Sequence, residues 1–287
     1  MNNCSFKKYS LNLHGKLVEI DRPWVMGILN ATPDSFFSES RVMEEGAIAQ
    51  RARAMVVEGA DILDIGAYST RPGAEEVTPV EEMKRLDMAV KAVRGSVGDD
   101  VILSVDTFRA DVARHCVEEL GVDIINDISG GDLDTEMYST VAQLQVPYIV
   151  MHTRGTPATM QQFTNYDGDV AAVVLEELAR KIDTLHQMGV NDVIADPGFG
   201  FAKTVEQNYR LLSCLEVFHA LEVPLLVGVS RKSMIQKVLN CTAQEALNGT
   251  TVINTIAMMK GAHIIRVHDV KAAVEARNLV SFTNRNS

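Results

Sequence analysis

One pattern constrains this chain more than any other, and it returns eight times: a short β-branched apolar run, a loop with polar residues or glycine, then an amphipathic stretch. The runs occupy residues 25–29, 61–65, 101–105, 122–125, 147–151, 192–195, 224–229 and 263–267. Strands that are apolar throughout, rather than alternating, indicate a parallel sheet covered on both faces. Between them, residues 44–58, 80–94, 166–188 and 244–260 carry apolar side chains at helical spacing. Thr78-Pro-Val-Glu81 and Thr242-Ala-Gln-Glu245 read as capping boxes, the first with Pro79 at the first helical position. Eight such units make a closed α/β barrel, the (β/α)8 TIM barrel, the first expectation and an open doubly wound sheet the second. No Pro-, Gly- or Ser-rich linker interrupts residues 23–287, so one domain is expected there. Residues 1–22 precede it as an extension. Leu11, Leu13, Leu17, Val18 and Ile20 around His14-Gly15 predict a β-hairpin that plugs the barrel floor.

Composition narrows the setting. Aromatic residues are 6% of 287, so Val, Ile, Leu, Ala and Met must do most of the packing. No stretch approaches the ~20 apolar residues of a membrane-spanning helix. Residues 1–21 are mixed and polar, unlike a secretory signal. Cys4, Cys116, Cys214 and Cys241 form no C-x-x-C pair, a pattern of reduced thiols in a cytoplasmic protein. The net charge of −11 argues against general binding to nucleic acid or anionic membranes. A small anionic ligand remains open, because a few cations converging on one cleft matter more than the total.

The runs end on polar residues: in order Asn30, Asp64, Asp106, Asn126, His152, Asp196, Ser230 and the Arg266-Val-His268 pair. In a barrel these ends meet at the face that carries active sites. A lone Asp or Asn there is as readily a turn residue or helix cap as a ligand. Eight in succession point to an enzyme or a binder without saying which.

Three segments add cations. Arg71 lies in Ser69-Thr70-Arg71-Pro72-Gly73 after the second run, where Pro72-Gly73 alone would be an ordinary tight turn. Ser230-Arg231-Lys232 ends the seventh run, and Arg266 and His268 end the eighth, where barrels commonly bind phosphate. Guanidinium groups suit such oxygens through bidentate hydrogen bonds, so a phosphorylated or pyrophosphorylated substrate is expected. The competing reading makes Arg231 and Lys232 the solvated start of a helix. Asp106, Asn126 and Asp196 would point inward, matching a heterocycle with N–H donors and carbonyl acceptors; a buried Asp needs such a partner to stay charged. Metal binding competes here, since magnesium takes one or two protein oxygens and shares the rest with phosphate. Asp196-Pro-Gly-Phe-Gly-Phe201 lets backbone approach a flat ligand, with Phe199 or Phe201 covering its ring, or is simply a flexible barrel loop. Met151 is core filling or a ligand contact. G-x-S-x-G, H-E-x-x-H and Walker A motifs do not occur in the sequence.

Met26 to Phe36, Asp64 to Gly73, Val105-Asp106-Thr107, Asn126 to Gly130, Asp196 to Phe201, Ser230-Arg231-Lys232 and Arg266 to Val270, taken in order, resemble the signatures of the dihydropteroate synthase family of pterin-binding enzymes. The resemblance implies a TIM barrel that joins a dihydropterin diphosphate to 4-aminobenzoate in folate biosynthesis, by an SN1-like route. It implies a pterin site of Asp106, Asn126, Met151, Asp196 and Lys232, and a diphosphate site of Asn30, Arg71, Arg266 and His268. It implies an aminobenzoate site of Thr70, Arg71, Pro72, Phe201, Ser230 and Lys232. Asp106, Asp196, Lys232 and Arg71 would carry catalysis, Mg2+ would bind at Asn30, and loops at about 31–41 and 67–77 would close over the amine. A cytoplasmic homodimer that sulfonamides imitate the aminobenzoate to inhibit is also implied. The chain departs from the family pattern at 37–41 and at Tyr68, where relatives usually carry Glu or another polar residue. Two rivals follow: a methyltetrahydrofolate:corrinoid methyltransferase, against which Arg71, Lys232 and Arg266 weigh together, and a non-catalytic pterin-binding protein.

Overall fold

The computed structural model describes residues 6–31, 38–68 and 77–285, the side chains of 38–44 excepted. Near the N-terminus β1 (Tyr9–Leu13) and β2 (Lys16–Ile20) pair antiparallel, Leu13 facing Lys16. The turn between them is His14-Gly15, with φ of 49° and 87°. Two-residue hairpin loops favour this positive-φ pair because its twist matches the flanking strands. Asn12 Oδ1 closes the turn by accepting the Gly15 N–H at 2.7 Å.

Eight further strands form one parallel sheet: β3 (Trp24–Asn30), β4 (Ile62–Gly66), β5 (Ile102–Asp106), β6 (Ile124–Asp127), β7 (Tyr148–Met151), β8 (Val193–Asp196), β9 (Leu226–Val227) and β10 (Ile264–Val267). Each pairs with the next from β3 to β8, and β10 lies between β3 and β9. The remaining seam is joined by a parallel bridge between Ala195 and Leu225, which closes the barrel. All eight predicted runs fall on these strands.

The outer layer comprises α1 (Ser38–Glu58), α2 (Pro79–Val97), α3 (Ala110–Leu120), α4 (Met137–Leu144), α5 (Val170–Gln187), α6 (Val205–Ser213), α7 (Ser233–Leu239), α8 (Leu247–Met259) and α9 (Val270–Arg285). In α2 the Thr78 hydroxyl accepts the Glu81 N–H, Pro79 stands in the first turn, and Gly98 ends the helix with φ 81°. Its buried face is Glu82, Leu86, Ala89, Val90 and Val93, the i, i+3, i+4, i+7 spacing that puts one stripe against the sheet. The second predicted capping box starts no helix. Glu245 accepts from both the backbone and hydroxyl of Thr242, closing a turn, and α8 begins only at Leu247. Local hydrogen bonding by Thr competes there with helix initiation.

Side chains alternate between the helix shell and the barrel interior. Toward the floor, Met26, Ile62, Ile124, Ile149, Ile194, Leu226 and Ile264 are fully buried with Trp24 and, from the hairpin, Leu11, Leu13 and Ile20. The hairpin thus plugs the barrel bottom, although Leu17, expected to help, is 75% exposed. Burying each large aliphatic side chain is worth roughly 1.5–3 kcal/mol. The lower half of the barrel is therefore a packed plug, and the barrel interior opens above it.

Candidate active site

One step above the isoleucine layer the interior turns polar. Ile28, Asp64 and Ser104 lie side by side in register on β3, β4 and β5, and Met151 pairs with Asp196 across β7 and β8. Asp64 is completely buried. Its Oδ1 accepts the Ser104 hydroxyl at 2.7 Å; its Oδ2 accepts Asn126 Nδ2 at 3.1 Å and Arg266 Nε at 2.6 Å. Arg266 Nη2 also donates to Asp106 Oδ2 at 2.7 Å. Side chains from β4, β5, β6 and β10 therefore meet at the Asp64 carboxylate. Arg266 Nη1 donates to no protein acceptor among the described residues.

Above this network opens a cavity of about 680 Å3, whose lining includes Asn30, Asp106, Phe201, Ser230, Lys232, Arg266 and His268. Asn126, Met151 and Asp196, all nearly buried, lie one layer deeper. Ser230 Oγ lies 3.0 Å from His268 Nδ1 and accepts the His268 backbone N–H at 3.1 Å, which ties the ends of β9 and β10 together. Lys232, the residue capping the start of α7, reaches back to the Phe199 carbonyl at 2.5 Å, with its ammonium 4.6 Å from the centre of the Phe201 ring.

Burial and charge coupling set protonation. Burial, reinforced by Asp64 and opposed by Arg266, pushes Asp106 up to about 7. Burial also raises Asp196, with Lys232 tempering the rise. Burial pulls Lys232 down to about 8 against the attraction of Asp196. For Arg266 burial opposes the charge, but Asp64 and Asp106 outweigh it and hold the guanidinium above its ordinary value.

Most residues expected at the site are thus brought together: Asn30, Asp106, Phe201, Ser230, Lys232, Arg266 and His268 around the cavity, and Asn126, Met151 and Asp196 beneath it. Thr70, Arg71 and Pro72 lie outside the described residues, as do most of the two loops expected to close. The structure also decides what the sequence left open. His152 turns to the helix shell, its Nε2 2.7 Å from Glu177 on α5. Phe199 is fully buried in the outer core and presents only its carbonyl, so the ring facing the cavity is Phe201. Arg231 borders the cavity, but its guanidinium is engaged by Asp269 at 2.8 Å and by the Ala243 carbonyl at 2.9 Å.

Sequence reasoning missed three organisers. Asp64 was visible only as a strand-end acid, although an acid inside an apolar run was the signal. Glu82 sits on the buried stripe of α2, where a carboxylate is out of place. It accepts from Thr107 Oγ1 at 2.8 Å and pairs with Arg109, fixing the turn beyond Asp106. Arg109 in turn packs over Tyr68, 5.3 Å from its ring centre. Lys203 is the third.

A polar mouth with acids below and cations at the rim, set at the carboxyl ends of the strands, is where enzymes of the TIM-barrel class carry their active sites. The family model for pterin binding enzymes matches residues 26–268. The chain is 42% identical over 271 residues to the dihydropteroate synthase of Escherichia coli strain K12, covering 94% of each. Among solved structures it resembles the Yersinia pestis dihydropteroate synthase with a sulfonamide drug complex, with TM-score 0.88, 40% identity, and 97% of this chain and 100% of that one covered. It also resembles the Xanthomonas albilineans dihydropteroate synthase with 4-aminobenzoic acid, with TM-score 0.87, 34% identity, and 96% and 98% covered. The chain belongs to the pterin-binding enzymes, and within them to the dihydropteroate synthases.

Proposed function

We propose that this site condenses (7,8-dihydropterin-6-yl)methyl diphosphate with 4-aminobenzoate, giving 7,8-dihydropteroate and diphosphate. The observation that carries the reading is Arg266, bridging Asp64 and Asp106 directly beneath the cavity while leaving Nη1 unengaged by the described protein groups. The pterin would enter edge-first toward Asp106, Asn126 and Asp196, stacking against Met151. Its diphosphate would then lie at the rim by Arg266, His268 and Asn30, with Arg71 closing from its loop.

The methylene carbon–oxygen bond breaks first, and its electron pair leaves with the diphosphate. The cation left on the electron-rich dihydropterin is stabilised by the buried carboxylates around it. The neutral aniline nitrogen then donates its lone pair to that carbon and loses a proton. Such an amine needs no strong base. Phe201, Ser230, Lys232, Thr70 and Pro72 would hold the aminobenzoate nearer the surface, Lys232 drawing its carboxylate. Asn30 is exposed at the cavity edge. Its single carboxamide oxygen fits the one or two protein ligands that magnesium takes when it shares a diphosphate. A magnesium ion held there would offset charge on the departing diphosphate.

We place the protein in the cytoplasm as a homodimer. Leu247 on α8 and Leu279 on α9 border one exposed groove, an apolar surface of the kind that partner copies cover. A Leu279→Glu substitution that left the solution mass unchanged would refute that assembly. The activity is tested by incubating the purified chain with both substrates and following diphosphate. Release matched by dihydropteroate supports the reading; pterin binding without release would favour the non-catalytic alternative.

A further inference from the structure

Lys203 is the only buried lysine among the described residues, 4% exposed, and the scheme above gives it no part. An ammonium has three N–H donors. Here Nζ has three partners, each at 3.0 Å: the carbonyls of Gly198 and Phe201 and the Nδ1 of His152. His152 can accept at Nδ1 because its Nε2 faces Glu177 at 2.7 Å, which assigns the ring proton to Nε2. Arg154 pairs with the same Glu177. Burial, together with the Lys203 charge, lowers His152 to about 4 and keeps the ring neutral.

The segment 197–202 between β8 and α6 is therefore held from two sides. From below, Lys203 takes the carbonyls of Gly198 and Phe201. From the cavity, Lys232 takes the carbonyl of Phe199. The clamp is tight: a Cβ on Gly198 would lie 1.9 Å from the His152 carbonyl oxygen. Within it, the Gly198 N–H donates to Asp196 Oδ1 at 2.8 Å, and the Phe201 ring lies beneath Lys232. We propose that Lys203 is a positioning residue for the acceptor end of the site: its ammonium, anchored on His152, fixes the 197–202 loop in the shape that presents Phe201 and Lys232 to the incoming aromatic amine. The proposal deepens the reading above and rests on it.

The charged and titratable groups around Lys203 are Asp196 on β8, Lys232 before α7, His152 and Arg154 after β7, and Glu177 on α5; Lys181, also on α5, acts on His152. Burial outweighs the attraction of Asp196 and lowers Lys203 to about 7, so the clamp loosens as pH rises through that value. Steady-state kinetics with each substrate varied, between about pH 6 and pH 9, reads this directly. Lys203→Met is expected to raise the KM for 4-aminobenzoate about tenfold, with the KM for the pterin diphosphate changed less than about threefold. The wild-type KM for the amine is expected to climb above pH 7, and Lys203→Arg, whose charge persists, to flatten that climb. Unchanged KM values, or an equal rise in both, overturn the proposal, as does a wild-type amine KM flat with pH. Hydrogen exchange on the unaltered protein decides the matter if the variants do not fold or the wild type does not turn over. The Phe201 amide donates to the Gly198 carbonyl at 3.2 Å, and its protection should fall above pH 7 after correction for intrinsic exchange. Protection constant with pH overturns the proposal even if the chain fails as a synthase.

Discussion

The guanidinium of Arg266 and the carboxylate of Asp64 meet at 2.6 Å in the middle of the barrel, although 202 residues separate them in the chain. The contact joins β10 to β4 and sets the height at which the packed floor gives way to the site. Asp64 has no solvent exposure, and its two oxygens are shared among Ser104, Asn126 and Arg266.

Asp64→Ala is accordingly expected to lower the unfolding free energy by about 3 kcal/mol, because it leaves a largely buried guanidinium with one carboxylate instead of two. The measurement is the denaturant midpoint at unchanged m-value. A midpoint equal to that of wild type would show that the pair holds no structure together.

Asp106 behaves differently, since burial and Asp64 raise its folded value to about 7. A carboxyl raised on folding binds its proton more tightly in the folded state. The stability it contributes is complete below the unfolded value near 4 and is lost as pH climbs through about 7. The Tm difference between Asp106→Asn and wild type should therefore become more favourable to the variant from pH 5 to pH 8, while turnover falls at least about 100-fold. A difference independent of pH would contradict the raised value.

Lys232 should limit activity on the alkaline side, since its folded value lies at about 8. Above that pH the ammonium that meets the Phe199 carbonyl is lost, so kcat/KM for the pterin diphosphate, which the Lys203 clamp leaves nearly unchanged, should fall there. Lys232→Met should remove the limb along with at least about 100-fold in rate, because one misplaced group can cost that much. A variant that kept the alkaline limb would assign it to another group.

Two glycines separate strain at the site from strain elsewhere. Gly198→Ala meets the His152 carbonyl at 1.9 Å with φ 71° and should cost both folding stability and about 100-fold in activity. Gly15→Ala, in the hairpin turn with φ 87°, meets nothing within 4 Å and should cost only about 1–2 kcal/mol, with kinetics intact. Equal kinetic damage from both would mean that the 197–202 loop does not shape the site.

The barrel was legible because its strands are short, apolar and regularly spaced, and burial on both faces leaves that mark on any sequence. The hairpin was legible from His14-Gly15. Which way a strand-end side chain turns was not legible, because parity depends on register between strands far apart in the chain. Asp64 and His152 looked alike as polar residues ending apolar runs; one lies at the barrel axis and the other among the helices. Thr242 misled because its bond to Glu245 is the same whether a helix or a turn follows. Lys203 stood next to a recognised motif, and its partner His152 lies 51 positions away, a contact that only the closed barrel creates.

The central claim is that one mouth grips a flat heterocycle by its acids and a diphosphate by its bases. A crystal structure with a pterin and diphosphate bound together tests it most directly. The account predicts the heterocycle against Asp106, Asn126 and Asp196, and the diphosphate within hydrogen-bond distance of Arg266 and His268. A pterin bound elsewhere, or a diphosphate away from Arg266, would contradict it.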